Sequence, residues 1–320
     1  MDSQKMNAQR LSSDNISSLL NQMKGLNVAL ATPLNERDEL DVAGLERLLE
    51  RVIAGGASCL FPLGWMGEQP LLSNSARNAM LVETCQIAKD RIPVMVGVSE
   101  QALPRALEQA EKARQAGADA ILSTPPYSYH IPQNLICKYF KELAAASGMP
   151  VVVYQNDEVG VTIEDDTLAQ ISRVPGAVGV KVYMPFLSLQ KSFLQADRPG
   201  RFAVMSGDEY LYGAALFLGI RHFTMGGPGN LCPGWCKKIY KNAVGGDWDA
   251  GRGKQKRLFA SCDALYAGPG TAYATVKYAL ERLGVCSARI SSPHGAIEPD
   301  QQQQVNALLE EFADVVGDAN

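Results

Sequence analysis

GAVGVKVYMP, residues 176–185, is the stretch on which the fold turns. Val178, Gly179, Val180 and Val182 form a short apolar run of the kind that reads as a buried strand. Lys181 stands inside that run, and a lysine is almost never fully buried unless something pairs with it or uses it. Two readings are open. In one, Lys181 ends the strand and its ammonium snorkels into water. In the other, it is held in a dry pocket as a nucleophile. The rest of the chain bears on the choice.

Outward from this stretch, apolar segments rich in β-branched residues recur along the sequence. They read NVALATPL (27–34), SCLFPLG (58–64), IPVMVGVS (92–99), ADAILSTPP (118–126), MPVVVYQN (149–156), GAVGVKVY (176–183), RFAVMSGD (201–208) and IRHFTMGG (220–227). Helical patterns separate them, among them VAGLERLLERVIAGGA (42–57), PRALEQAEKARQAGA (104–118) and EDDTLAQISRV (164–174). Asp165 or Asp166 is placed to cap the last of these. Gly117, Gly148 and Gly176 sit where a helix gives way to a strand, as C-terminal caps prefer. Strands followed by helices in this rhythm predict an α/β chain, a (β/α)8 TIM barrel. The first strand has no GxGxxG turn after it, so a dinucleotide-binding sheet finds no support. After residue 230 the pattern turns helical. The expected organisation is a polar N-terminal extension over 1–25, a barrel over 26–230 and a C-terminal helical region over 231–320.

Composition narrows the function classes. The net charge of −4 and a pI near 5.5 show none of the basic bias of a nucleic-acid binder. No apolar run approaches the ~20 residues that span a bilayer. The opening MDSQKMNAQRLSSDNISSLLNQMKG lacks the apolar core of a signal peptide, and a frayed or helical extension is expected there. The seven cysteines are scattered and odd in number, which fits reduced thiols in a cytoplasm. CPGWC, 232–236, has CxxxC spacing and no second pair of ligands nearby, so Pro233 and Gly234 read as a turn into a helix. No metal site is expected.

In such a barrel the chemistry lies at the C-terminal ends of the strands. That places Lys181, Tyr154 and Tyr127 at one mouth, together with the loop Gly64, Trp65, Met66, Gly67 and the residues Gly207 and Thr224. Burial against apolar walls lowers a lysine pKa and frees the amine to attack a ketone, giving a protonated imine that serves as an electron sink. The reaction also needs a proton shuttle, which Tyr154 and Tyr127 could supply as a relay.

The pattern resembles the dihydrodipicolinate synthase / N-acetylneuraminate lyase family of class I aldolases and dehydratases, from about residue 26 to the C-terminus. GWMGE (64–68) corresponds to a Gly-x-x-Gly-Glu loop, TPPYSYHIP (124–132) to a Thr-Pro-x-Tyr segment, and VVVYQN (151–156) to the strand ending in a catalytic tyrosine. GVKVY (179–183) corresponds to Gly-x-Lys, and SGDE (206–209) to a Ser-Gly-Asp turn. The resemblance implies Lys181 as the Schiff-base lysine, Tyr154 as the proton-transfer residue and Tyr127 as its relay. It implies a lyase acting on a small 2-oxo acid with no cofactor, assembled as a homotetramer or dimer.

Two departures shape the expected substrate. Where the family places two small hydroxyl residues to hold a carboxylate, this chain has Trp65 and Met66, which leaves the loop's backbone N–H groups for that task. The synthase branch grips its second substrate with an arginine after the tyrosine, and YQNDEVGVT has none. Dihydrodipicolinate synthesis is disfavoured on both grounds, and the Tyr-x-x-Asp rhythm of YQNDE leans toward the sugar-acid dehydratase branch. Two rivals stay open: a non-catalytic ligand-binding barrel, and a phosphate-binding barrel enzyme built on GGPGN (226–230). His222 reads as structural, and His130 as a possible lining residue of the cleft.

Overall fold

The computed structural model describes residues 10–156, 161–266 and 271–317. Asp157 and Glu158, on which the YQNDE rhythm partly rests, lie outside the described residues. Helix α1 (Ser13–Gln22) leads into β1 (Gly25–Ala29), and strands and helices then alternate. In order they are α2 (Val42–Ala54), β2 (Cys59–Phe61), α3 (Asn74–Ala88), β3 (Met95–Gly97), α4 (Leu103–Ala116), β4 (Ala120–Ser123), α5 (Gln133–Ser147) and β5 (Val151–Asn156). The second half holds α6 (Asp165–Ile171), β6 (Ala177–Tyr183), α7 (Phe186–Ala196), β7 (Ala203–Ser206), α8 (Tyr212–Leu218) and β8 (His222–Met225). Helices α9 (Gly227–Leu231), α10 (Pro233–Val244), α11 (Trp248–Tyr266), α12 (Ala272–Arg282), α13 (Pro299–Glu311) and α14 (Ala313–Val316) follow.

The eight strands pair in parallel in the order β2-β1-β8-β7-β6-β5-β4-β3, and a parallel bridge between Leu60 and Val94 closes β2 on β3. The predicted (β/α)8 barrel with C-terminal helices is therefore the observed fold. The strands are buried along nearly their whole length, as parallel strands covered on both faces must be. Residues alternate between two cores. Val151, Val153, Val180 and Val182 face the helices, while Val152, Tyr154, Val178 and Met205 fill the barrel interior.

The N-terminal extension is helical from Ser13, and its Leu20 and Met23 are part of the interior cluster that also holds Cys59, Met95 and Leu122. His222, at the start of β8, is hydrogen-bonded through Nε2 to the Leu20 carbonyl at 2.9 Å. Burial holds its pKa down to about 4, so it is a neutral structural residue, as expected. Gly117 and Gly148 close their helices at φ 91° and 63°, where a side chain would be strained.

Two local expectations are corrected. The position before α6 is Glu164, which makes no side-chain cap, and Asp165 and Asp166 lie in the first turn. There they still complement the positive end of the helix dipole. Lys181 does not end its strand: β6 continues through Val182 to Tyr183. With only 6% of its surface exposed, Lys181 is not snorkelling into water.

Candidate active site

The site begins with a strand register. β5 and β6 pair so that Tyr154 lies directly beside Lys181, both on the inward face. The lysine Nζ sits 4.1 Å from the centre of the Tyr154 ring and 5.5 Å from that of Phe61 on β2. Burial among these groups lowers the Lys181 pKa to about 8, against a weaker opposite pull from the Glu209 carboxylate. A free amine is therefore available near neutral pH, which a nucleophile requires. Gly207 explains how the lysine chain fits, since a β-carbon there would lie 2.8 Å from Cε of Lys181.

Tyr154 is 4% exposed, and its phenol oxygen accepts a hydrogen bond from Asn156 Nδ2 at 3.2 Å. Two residues apart on one strand, they share the inward face, and the amide fixes the direction of the phenol. Tyr127 follows β4 in a turn held by Gln101, whose Oε1 accepts from the Tyr127 and Ser128 amides at 3.1 and 2.7 Å. The Trp65 indole stands edge-on to both rings, with centroids 5.7 Å from Tyr127 and 6.5 Å from Tyr154. The structure thus gathers Lys181, Tyr154, Tyr127 and Trp65 at one mouth, with the indole against both phenols.

The loop after β2 is a tight turn. Gly67 N–H donates to the Gly64 carbonyl at 3.1 Å, and Glu68 N–H donates to the Trp65 carbonyl at 3.0 Å. The amide of Gly67, expected to hold a carboxylate, is already used inside the turn. The two glycines answer to packing instead. A β-carbon at Gly64 would lie 2.7 Å from the Phe61 ring, and one at Gly67 would lie 2.9 Å from the Leu30 carbonyl oxygen. Thr32 Oγ1 donates to the Gly67 carbonyl at 2.7 Å and pins the turn to the end of β1. Met66 reaches toward Gly226, where a β-carbon would meet its Cε at 2.7 Å.

Thr224 lies buried on β8, its Oγ1 3.9 Å from the Met205 sulfur, and Met205 is the register partner of Lys181 on β7. The sequence therefore placed Thr224 near the lysine's level, and its hydroxyl is turned toward a thioether. His130 is exposed.

Two contributors, Glu209 and Lys277, escaped the sequence reading. Glu209, quoted only as part of SGDE, is 6% exposed and accepts from Gly226 N–H at 3.1 Å and Tyr266 OH at 3.3 Å. Burial pushes its carboxyl above the usual carboxylate range. Because that acid takes the Gly226 amide, GGPGN makes a poor phosphate cradle, and Asn230 bolts the segment to β1 through the Ala31 amide and Ala29 carbonyl. Glu68 and Lys277 form an ion pair at 2.8 Å with both side chains fully buried. Among the described residues no group of three or more His, Cys, Asp or Glu side chains is placed to hold a metal ion, and Cys232 and Cys236 are free thiols. No helix among the described residues is long and apolar enough to cross a membrane.

Comparison with known proteins matches this arrangement to one family. The pattern described as the dihydrodipicolinate synthetase family fits residues 22–312. A 4-hydroxy-tetrahydrodipicolinate synthase of Ruegeria pomeroyi is 30% identical, covering 89% of this chain and 97% of its own. The structure of dihydrodipicolinate synthase from Bacteroides thetaiotaomicron superposes with a TM-score of 0.85 at 30% identity, over 90% of this chain and 98% of that one. A prophage protein of the dihydrodipicolinic acid synthase family from E. coli, solved in complex with pyruvate, has the same fold. Its TM-score is 0.85 at 21% identity, over 91% of this chain and 98% of that one.

Proposed function

We propose that this chain, which belongs to the dihydrodipicolinate synthetase family, is a Schiff-base lyase that works on a 2-oxo acid through an imine at Lys181. The observation that carries this is the lysine itself, 6% exposed, beside Tyr154 in the β5–β6 register and with a pKa lowered to about 8. The amine adds to the ketone carbon, water leaves, and the protonated imine draws electrons from the bond next to the former carbonyl. Tyr154 moves the proton to and from the oxygen that leaves or arrives, and Tyr127 relays it onward. Gly207 leaves room for the lysine chain, and Trp65 and Met66 set the width of the pocket.

The preferred substrate is a keto-deoxy sugar acid, cleaved or dehydrated. Two features favour it over the condensation named in the relatives: no arginine follows Tyr154 in YQNDEVGVT, and an indole and a thioether stand in the carboxylate-holding loop. Steady-state assays over a panel of 2-oxo sugar acids test this, with pyruvate plus an aldehyde as the competing reaction. Turnover of the aldehyde pair and of no sugar acid would reverse the preference. The packing of Trp65 against both tyrosines favours one other reading, a barrel that binds a ligand without transforming it. Absence of turnover with every 2-oxo acid, in folded protein that binds one of them, would select it.

The loop makes a direct prediction. Two hydroxyls in place of Trp65 and Met66 would supply charge-assisted hydrogen bonds to a carboxylate, each worth about 1.5–3 kcal/mol. Trp65→Thr with Met66→Thr is therefore expected to lower the pyruvate concentration for half-maximal borohydride trapping by at least about tenfold. An unchanged value would remove this account of the loop.

The assembly proposed is a dimer or tetramer of this chain. Leu187 and Leu194 on α7 and Phe217 on α8, 61%, 71% and 82% exposed, are the apolar side chains that a second copy would cover. Light scattering at micromolar concentration is expected to give a multiple of 34.5 kDa, and a monomer mass would refute the assembly.

A further inference from the structure

The Glu68–Lys277 pair joins the mouth of the barrel to the C-terminal helices. Lys277 Nζ on α12 donates to Glu68 Oε1 at 2.8 Å, and the Ser291 amide donates to the other oxygen, Oε2, at 2.8 Å. Both charged side chains are 0% exposed. Stability alone gives a weak reason for such a pair, because apolar residues of similar volume often serve a core as well or better. Its placement is more informative. Glu68 has a left-handed backbone, φ 56°, which side-chain-bearing residues seldom adopt. A strained conformation persists only where its surroundings hold it. Its own N–H donates to the Trp65 carbonyl, so the carboxylate and the indole sit at two ends of one short turn. A change in the Glu68 backbone reaches Trp65 through that bond.

We infer that Glu68 and Lys277 are positioning residues that clasp the loop and seat Trp65 edge-on against Tyr154 and Tyr127. The C-terminal helices are then part of the machinery that shapes the mouth of the barrel, and not only a cover for it. Desolvation supports the same picture: burial lowers the Lys277 pKa, and the Glu68 carboxylate works against that shift. The inference rests on the proposed function only in what the seated indole is for. The clasp itself can be read without substrate.

The test follows Trp65 fluorescence in the full-length chain with Trp235→Phe and Trp248→Phe, which leaves Trp65 as the only indole. Glu68→Gln with Lys277→Met removes both charges together, so neither is left buried alone. Acrylamide quenching of Trp65 is expected to rise at least about threefold as the loop opens locally, with circular dichroism and cooperative unfolding retained. Glu68→Gln alone is isosteric but leaves one acceptor where Lys277 and Ser291 need two, and a smaller rise is expected. Unchanged quenching in either folded variant overturns the clasp. Loss of folding in both also overturns it, since the pair would then hold the whole domain and not the loop. If no 2-oxo acid can be trapped on the parent protein, the imine reading fails and the quenching result still stands.

Discussion

Lys181→Ala is expected to reduce turnover to the uncatalysed background while the barrel stays folded. Among the described residues the lysine has no direct ion pair; around it stand the Tyr154 ring at 4.1 Å, Phe61 at 5.5 Å and the close-packed Gly207 backbone. Removing the amine takes away a buried polar group and the counter-charge it offers Glu209, whose carboxylate keeps its hydrogen bonds from the Gly226 amide and the Tyr266 hydroxyl. The same environment sets the pH dependence. A lysine in water has a pKa of about 10.4, so at pH 8 only about one in 250 is a free amine. Burial lowers the Lys181 value to about 8, which makes roughly half of it reactive at that pH. Because the shift is downward, imine formation in the parent protein rises as pH climbs through about 8 and levels off above it. A rate that keeps rising to pH 10 would mean a solvated lysine. Residual activity in Lys181→Ala within tenfold of the parent would refute the imine mechanism outright.

Tyr154→Phe is expected to lower kcat by about 10²–10⁴, the usual worth of a positioned general acid–base. The substitution is a clean one here. Phenylalanine keeps the ring over which the Lys181 Nζ lies and the edge that meets Trp65, so packing and the lysine environment are preserved. Only the oxygen that accepts from Asn156 is lost. The lysine should still form a borohydride-trappable adduct, more slowly, because imine formation itself needs proton transfer at the carbinolamine. A kcat within threefold of the parent would take Tyr154 out of the reaction and leave Tyr127 or a water to carry the proton.

The fold was legible because parallel strands covered on both faces leave continuous apolar runs: seven of the eight quoted segments contain a whole observed strand, and the first holds the last three residues of β1. The meeting of Lys181 and Tyr154 was also legible: both sit near the C-terminal ends of neighbouring strands, and a barrel puts those ends together. What escaped was long-range pairing. Nothing in the spacing ties Glu68 to Lys277, which are 209 residues apart. Nor does the sequence show that the carboxylate of Glu209 would bend back onto the Gly226 amide and turn a glycine-rich segment away from phosphate. The Gly67 amide is a smaller case of the same limit. A Gly-x-x-Gly loop displays N–H groups in sequence, but whether they point at a ligand or close their own turn depends on backbone angles, such as the left-handed Glu68.

Mass-spectrometric mapping after borohydride reduction tests the central claim most directly. The protein is incubated with each 2-oxo acid in turn, reduced and digested, and the modified peptide is identified. The account predicts a single adduct on the peptide containing Lys181, absent in Lys181→Ala, with a sugar-derived 2-oxo acid labelling better than pyruvate. An adduct on any other lysine, or none with folded protein across the whole panel, would contradict it.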